Sequence, residues 1–193
     1  MNYHFKSLNV SKIILVTFAG LCLHNLTMAD EHVDPENDGS QHAFAANLDW
    51  VNAEPSGDGG PGIGFIDTKV VGWLWSANAG WVSLNCINTN TCGDVDYGIK
   101  HDGAGNLSGY AWAANLGWVS FSCADSKSCD DVDYSVTVDL ETGEMAGYAY
   151  AANVGWIGLS CNNTGSCGAV DFGVRVDVDS VNGNLLSDSF EDL

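Results

Sequence analysis

The dominant pattern along the chain is a period of two, interrupted by turns. In Val132-Asp-Tyr-Ser-Val-Thr-Val-Asp139, apolar Val132, Tyr134, Val136 and Val138 alternate with Asp131, Asp133, Ser135, Thr137 and Asp139, which predicts a strand with one wet face. The stretch 170–179 repeats this, with Val170, Phe172, Val174, Val176 and Val178 set against Asp171, Arg175, Asp177 and Asp179. Turn residues rich in Gly, Asn and Asp follow at 102–106, 141–144 and 182–184. Short strands joined by such turns make an antiparallel meander. No helix is expected beyond the first thirty residues.

The strands belong to a repeat. Gly72-Trp-Leu-Trp-Ser-Ala-Asn-Ala-Gly-Trp81, Gly109-Tyr-Ala-Trp-Ala-Ala-Asn-Leu-Gly-Trp118 and Gly147-Tyr-Ala-Tyr-Ala-Ala-Asn-Val-Gly-Trp156 are one motif, and each copy runs on through a Cys pair to Val-Asp-aromatic at 95–97, 132–134 and 170–172. A worn copy precedes them over 42–52, with His42 for the first aromatic, Asp49 for Gly and no Cys pair. Within the motif Tyr110 and Trp112 share a face, whereas Gly109, Ala111 and Ala113 leave the other face bare for close approach of a second layer. Asn115 and Gly117 reverse the chain, since both accept positive φ. After the turn Val119, Phe121 and Cys123 share a side. Three strands per unit predict ten to twelve in all. The expected fold is therefore all-β, with antiparallel meander repeats in three full units plus a degenerate N-terminal cap, arranged as a sandwich, a short solenoid or a small closed array.

The ends of the chain differ from the repeat. Lys6 and Lys12 precede an apolar run at 13–23 and small residues at Thr27 and Ala29, the layout of a signal peptide over residues 1–29. That run is too short to span a membrane. An acidic leader over 30–41 is expected to be mobile, a single β-repeat domain to occupy 42–186, and an acidic tail 187–193. Removal of the signal leaves four basic residues (Lys69, Lys100, Lys127, Arg175) against 25 acidic ones, a net charge of −21. Such a field repels nucleic acid and anionic membranes. Its simplest use is a soluble surface, with charge on strand faces also deterring edge pairing.

Six cysteines remain after export, as Cys86/Cys92, Cys123/Cys129 and Cys161/Cys167. An even count at one spacing in an exported chain reads as disulfides. Pairing within each copy is the simplest scheme, since the same short pair recurs at the same place in the unit. Each bridge would stabilise by roughly 2 kcal/mol. Zinc is the rival, but cysteines in zinc sites usually sit two to four residues apart.

Catalytic constellations are missing: there is no nucleophile elbow, phosphate loop, dinucleotide fingerprint or paired-histidine helix. Adjacent carboxylates such as Asp131 and Asp133 read as a solvated strand face rather than an acid/base pair. Asp130-Asp-Val-Asp133 and 177–183 gather oxygen ligands without the spacing of an EF-hand; turn chemistry is the first explanation and a calcium site the second. All seven Trp lie inside motif copies. Packing between units explains them first. The alternative is a row of rings exposed at the repeat distance, with Trp75, Trp112 and Tyr150 as the binding face for sugar rings or a fibrous polymer.

The run Gly-Tyr-Ala-Trp-x-x-Asn-x-Gly-Trp followed by Val or Ile resembles repeats of exported bacterial proteins, and is distantly similar to the methanotroph surface copper-binding proteins MopE and CorA. The resemblance covers about residues 42–186 and implies an exported β-repeat. In those relatives two His and an oxidised Trp hold copper, with Trp and one His two positions apart. Here Trp50, Trp81, Trp118 and Trp156 are followed two residues on by Asn52, Ser83, Ser120 and Gly158, so that ligand set does not carry over. His42 and His101 remain as candidate copper ligands on the chemistry of imidazole. The expectation is thus a secreted or cell-surface, non-enzymatic repeat protein requiring no cofactor. It would act on an extracellular polymer or cell-surface component in adhesion, matrix or envelope association, with self-association open to it. A copper- or calcium-binding protein and a carbohydrate-binding module are the alternatives.

Overall fold

This computed structural model describes residues 32–55 and 62–183. The expected signal peptide and the acidic tail lie outside the described residues. Eleven strands are present among the described residues: β1 (His42–Ala45), β2 (Asp49–Asn52), β3 (Ile63–Ile66), β4 (Lys69–Ser76), β5 (Gly80–Ser83), β6 (Ile99–His101), β7 (Asn106–Ala113), β8 (Gly117–Ser120), β9 (Val136–Val138), β10 (Met145–Ala151) and β11 (Gly155–Gly158). The four motif copies form the hairpins β1–β2, β4–β5, β7–β8 and β10–β11. Each hairpin pairs with the next, and β11 returns to β1. Eight strands thereby close into an antiparallel barrel, not a sandwich or a solenoid.

Register explains the closure. Trp112 lies opposite Ser83, two residues beyond Trp81, and Tyr150 lies opposite Ser120, two beyond Trp118. Phe44 faces Gly158 and Trp75 faces Asn52 with the same step of two. Four steps of two give a shear of eight over eight strands, a combination whose interior is only wide enough for side chains to fill. The bare face of the motif therefore turns inward. Ala43, Ala45, Val51, Val82, Ala111, Ala113, Val119, Ala149, Ala151 and Ile157 are buried. Ser76 occupies the Ala113 position in its own hairpin and satisfies its buried hydroxyl on the Leu48 carbonyl at 3.3 Å. A residual cavity of about 30 Å³ within this lining has purely apolar walls, among them Leu74, Leu116 and Phe121, so it stays dry.

The hairpin turns close one end of the barrel. Leu48, Ala79, Leu116 and Val154, the residues before the turn Gly or Asp, are all buried. The motif asparagines tie these turns into a ring: Asn47 donates to the Val154 carbonyl (3.1 Å), Asn78 to Leu48 (3.2 Å), Asn115 to Ala79 (3.1 Å) and Asn153 to Leu116 (3.1 Å). Asn115 therefore acts through its side chain, and the positive φ expected of it falls on Gly117 alone, at 75°. In the worn copy Asp49 accepts φ 63° at that position.

A second antiparallel layer extends the core. The long strands β4, β7 and β10 contribute one half to the barrel and the other to a sheet with β3, β6 and β9. The crossover falls at the first Gly of each motif: Gly109 has φ 102°, and a Cβ there would lie 2.1 Å from the Gly98 carbonyl oxygen. Only Gly fits that combination of conformation and contact. Ile63, Phe65, Val70, Ile99, Leu107, Val136, Val138, Met145, Val174 and Val176 fill this half of the core.

Three expectations are corrected. One-turn helices do occur: α1 (Cys86–Thr89), α2 (Cys123–Ser126) and α3 (Cys161–Thr164) open the Cys loops, and α4 (Val178–Val181) stands where strand alternation was expected to continue. Local side chains nucleate them, as Asn85, Ser122 and Ser160 each accept the backbone N–H two residues on; four residues are too few to show a helical period. The strand expected over 132–139 shrinks to β9, because Val132 N–H instead donates to the Ser128 carbonyl in a turn (2.8 Å) that leaves Val132 exposed. The acidic leader, expected to be mobile, is tied down from His32 onward. Val33 bridges Val176, Gln41 bridges Val174, and the buried Asp34 carboxylate accepts from Asp38 N–H (2.9 Å), Gly39 N–H (2.9 Å) and the Ser40 hydroxyl (3.0 Å).

Candidate functional site: an outward aromatic belt

With the small side chains inside, the large ones must face out. Each hairpin presents three outward positions: Trp73, Trp75 and Trp81 in one, Tyr110, Trp112 and Trp118 in the next, then Tyr148, Tyr150 and Trp156, and finally His42, Phe44 and Trp50. The cross-strand register sets the second and third of these opposite one another, as in Trp75↔Trp81 and Trp112↔Trp118. In three of the hairpins these rings meet in edge-on or tilted pairs, with centroids 4.7 Å apart in Trp112–Trp118, 4.9 Å in Tyr150–Trp156 and 5.2 Å in Phe44–Trp50, the geometry favoured by the ring quadrupole; in the fourth, Trp81 meets Trp73 instead (6.1 Å). Because successive hairpins step evenly, the pairs encircle the barrel as a belt.

The expectation that these rings are taken up in packing between units holds only in part, because packing leaves them far from buried. Trp50, Trp75, Trp81, Trp112, Trp118, Tyr150 and Trp156 are all exposed, from 37% for Tyr150 to 48% for Trp81. At about two-fifths of the area such a ring can bury, each leaves roughly 60–100 Å² uncovered. Packing between units nevertheless exists, on the outside. The aromatic that ends each Cys loop lies against the Trp of the following hairpin: Tyr97 on Trp118 (5.4 Å), Tyr134 on Trp156 (5.0 Å) and Phe172 on Trp50 (5.6 Å). The last contact closes the ring of units. Trp81 follows the copy without a Cys loop, and its only ring contact among the described residues is Trp73. It is accordingly the most exposed of the seven.

The Cys loops are fastened against the belt by covalent and hydrogen bonds. Disulfides join Cys86 to Cys92, Cys123 to Cys129 and Cys161 to Cys167 within their own units. The Tyr134 hydroxyl donates to Ser120 Oγ at 2.9 Å, and Tyr97 makes the same bond to Ser83. Asp125 reaches back to accept the N–H groups of Gly109 (2.7 Å) and Ser122 (3.0 Å). Burial, and secondarily the Asp125 carboxylate, pushes the Tyr110 phenol above its ordinary range, so its hydroxyl remains a neutral donor at any physiological pH.

The histidines stand apart. His42 lies on β1 with its ring against Trp50 (6.1 Å). His101 is buried on β6 in the other sheet, edge-on to Phe65 (5.6 Å), with Nε2 at the Asp67 carbonyl and Nδ1 unpartnered. No strand pairing, ring contact or hydrogen bond links the two. Three Cys-Cys-Asp groups have ligand-type atoms within 4.8 Å of one another, namely each disulfide with Asp96, Asp133 or Asp171, but sulfurs bonded to each other offer no thiolate to a metal. Of the calcium candidates, Asp177 caps α4 by accepting Asp179 N–H, and Asp130, Asp131 and Asp133 lie exposed on the loop. No helix of the described residues is long and apolar enough to cross a membrane. Compared with known family models, curated proteins and solved structures, the chain matches none.

Proposed function

We propose that this is an exported, non-enzymatic binding protein that holds an extracellular polysaccharide through its aromatic belt and so associates with matrix or envelope. The observation that carries this reading is the outward pairing of half-exposed rings on all four hairpins. Seven such rings leave about 400–700 Å² of aromatic surface uncovered, more than scattered surface residues account for. Sugar rings present flat C–H faces that suit these indoles, and the disulfide loops keep the rings in place without ordering cost on binding. A straight chain can lie along only part of a circular belt. The protein therefore engages several chains at once, gaining avidity and cross-linking them.

The test is co-sedimentation with insoluble polysaccharides, followed by Trp emission during titration with soluble fragments. The native protein is expected to bind at least one, with a change in emission. Trp81→Ala, Trp112→Ala and Tyr150→Ala together should abolish retention while the far-ultraviolet spectrum persists. Full retention by the triple variant would overturn the belt as the binding surface.

A further inference from the structure

Two equivalent places in the repeat treat a cation in opposite ways. Lys100 and Arg175 occupy the same position, four residues after the Val-Asp pair that ends the Cys loop. The Arg175 guanidinium is neutralised by Glu36 (3.1 Å), Asp38 (3.2 Å) and Glu144 (3.4 Å). Lys100 instead stands directly opposite Lys69 across the β4–β6 pair. Like charges in that relation repel. Among the described residues neither lysine is in an ion pair, although acidic residues outnumber basic ones four to one over the whole chain. Half of the basic residues that follow the expected signal are thus placed side by side.

The two lysines line a cleft of about 670 Å³ together with Tyr97, Tyr110, Trp118 and Ser108, a volume typical of small-molecule sites. Trp118 is fixed there between Tyr97 (5.4 Å) and Tyr110 (6.1 Å). Asp96 and Asp125 also line the cleft. Asp125 is engaged by Gly109 and Ser122 N–H, but both carboxylates oppose a small free anion. A ligand must therefore bring an apolar ring face as well as a negative group.

We infer that this cleft binds an anionic sugar unit, its ring against the Tyr97–Trp118–Tyr110 cluster and its acidic group between the Lys69 and Lys100 ammonium groups. The inference rests on the polysaccharide reading and narrows it to an acidic sugar unit held at the junction of the first two disulfide-bearing units, where the paired lysines locally offset the negative field of the whole chain. Ammonium groups bind anions as point charges, without the planar match of a guanidinium, so carboxylated and sulfated sugars share the required chemistry.

The experiment titrates the disulfide-intact protein with oligogalacturonate, with its methyl ester, with oligomannuronate, with sulfated dextran oligomers and with polyglutamate, reading Trp emission and calorimetric affinity. At least one acidic saccharide should bind about tenfold or more tightly than the uncharged ester, and that preference should shrink at high salt, which screens the lysine pair. Lys69→Gln/Lys100→Gln should remove that preference, leaving the ester's affinity unchanged. Preference for uronates or for the sulfated dextran identifies which acid group the lysines take. Equal binding of acid and ester by the wild type, or an acid preference that the double variant retains, overturns the anionic site while leaving neutral polysaccharide binding intact. Failure of every saccharide overturns the anionic site, and failure of the co-sedimentation test as well overturns both readings; polyglutamate binding as tightly as the sugars overturns the sugar component. Both lysines are exposed, so the double variant is expected to fold, which near-ultraviolet dichroism checks.

Discussion

The inner and outer faces of the same hairpins obey opposite size rules. On β7 the inward residues are Leu107, Ala111 and Ala113, and the outward ones beside them are Tyr110 and Trp112. Ala111 is fully buried and Trp112 is 38% exposed, although they are adjacent in the chain. The difference teaches that in a narrow barrel the paired aromatic rings of the hairpins go outside. The interior is filled mainly by Ala, Val, Leu and Ile, whereas the rings of the belt are left available to a ligand.

The comparison breaks most severely at the crossover glycine. Gly109→Ala forces a side chain into positive φ and onto the Gly98 carbonyl, and should cost about 3 kcal/mol or more, read as a lowered urea midpoint with disulfides intact. Next come the adjacent positions on the two faces. Ala111→Leu overpacks the barrel and should cost about 1–3 kcal/mol while leaving the belt's rings in place. Trp112→Ala should cost about 1 kcal/mol, chiefly the ring pair with Trp118, yet weaken polysaccharide binding more than the inner substitution does. If the outer change proves the more destabilising and binding is untouched, the division between faces is wrong. The smallest effect is expected at the asparagine ring. Asn115→Ala removes one bond to the Ala79 carbonyl and should cost about 1 kcal/mol, seen as faster amide exchange at the two turns it joins.

Much of this was legible beforehand, and the parts that were not share a cause. Hairpins, turn positions and Cys pairing follow from residues close in sequence, such as Ala111 through Gly117 or Cys123 and Cys129. Alternation separates Tyr110 and Trp112 from Ala111 and Ala113, but it does not say which set faces inward. That depends on closure, which depends on the two-residue step between hairpins, a relation among residues some thirty positions apart such as Ser83 and Trp112. Once eight strands and their shear are known, the small residues must line the interior. The Lys69–Lys100 pair is not visible in the sequence for the same reason, since only the β4–β6 register brings the two together. The worn copy, lacking a Cys pair, reads in the sequence as a terminal cap, whereas it is a full quarter of the wall, joined to the last unit through Phe44↔Gly158 and Phe172 on Trp50.

The shear of eight has a consequence for how such a gene can change. A solenoid grows by duplicating a repeat, because each unit touches only its neighbours. Here a fifth unit would enlarge the circumference to ten strands and open a hollow that alanines cannot fill, and loss of one would crush it. Copy number and the size of the inward side chains are therefore locked together: the loops and outer rings lie outside that constraint, but the number of units is held at four.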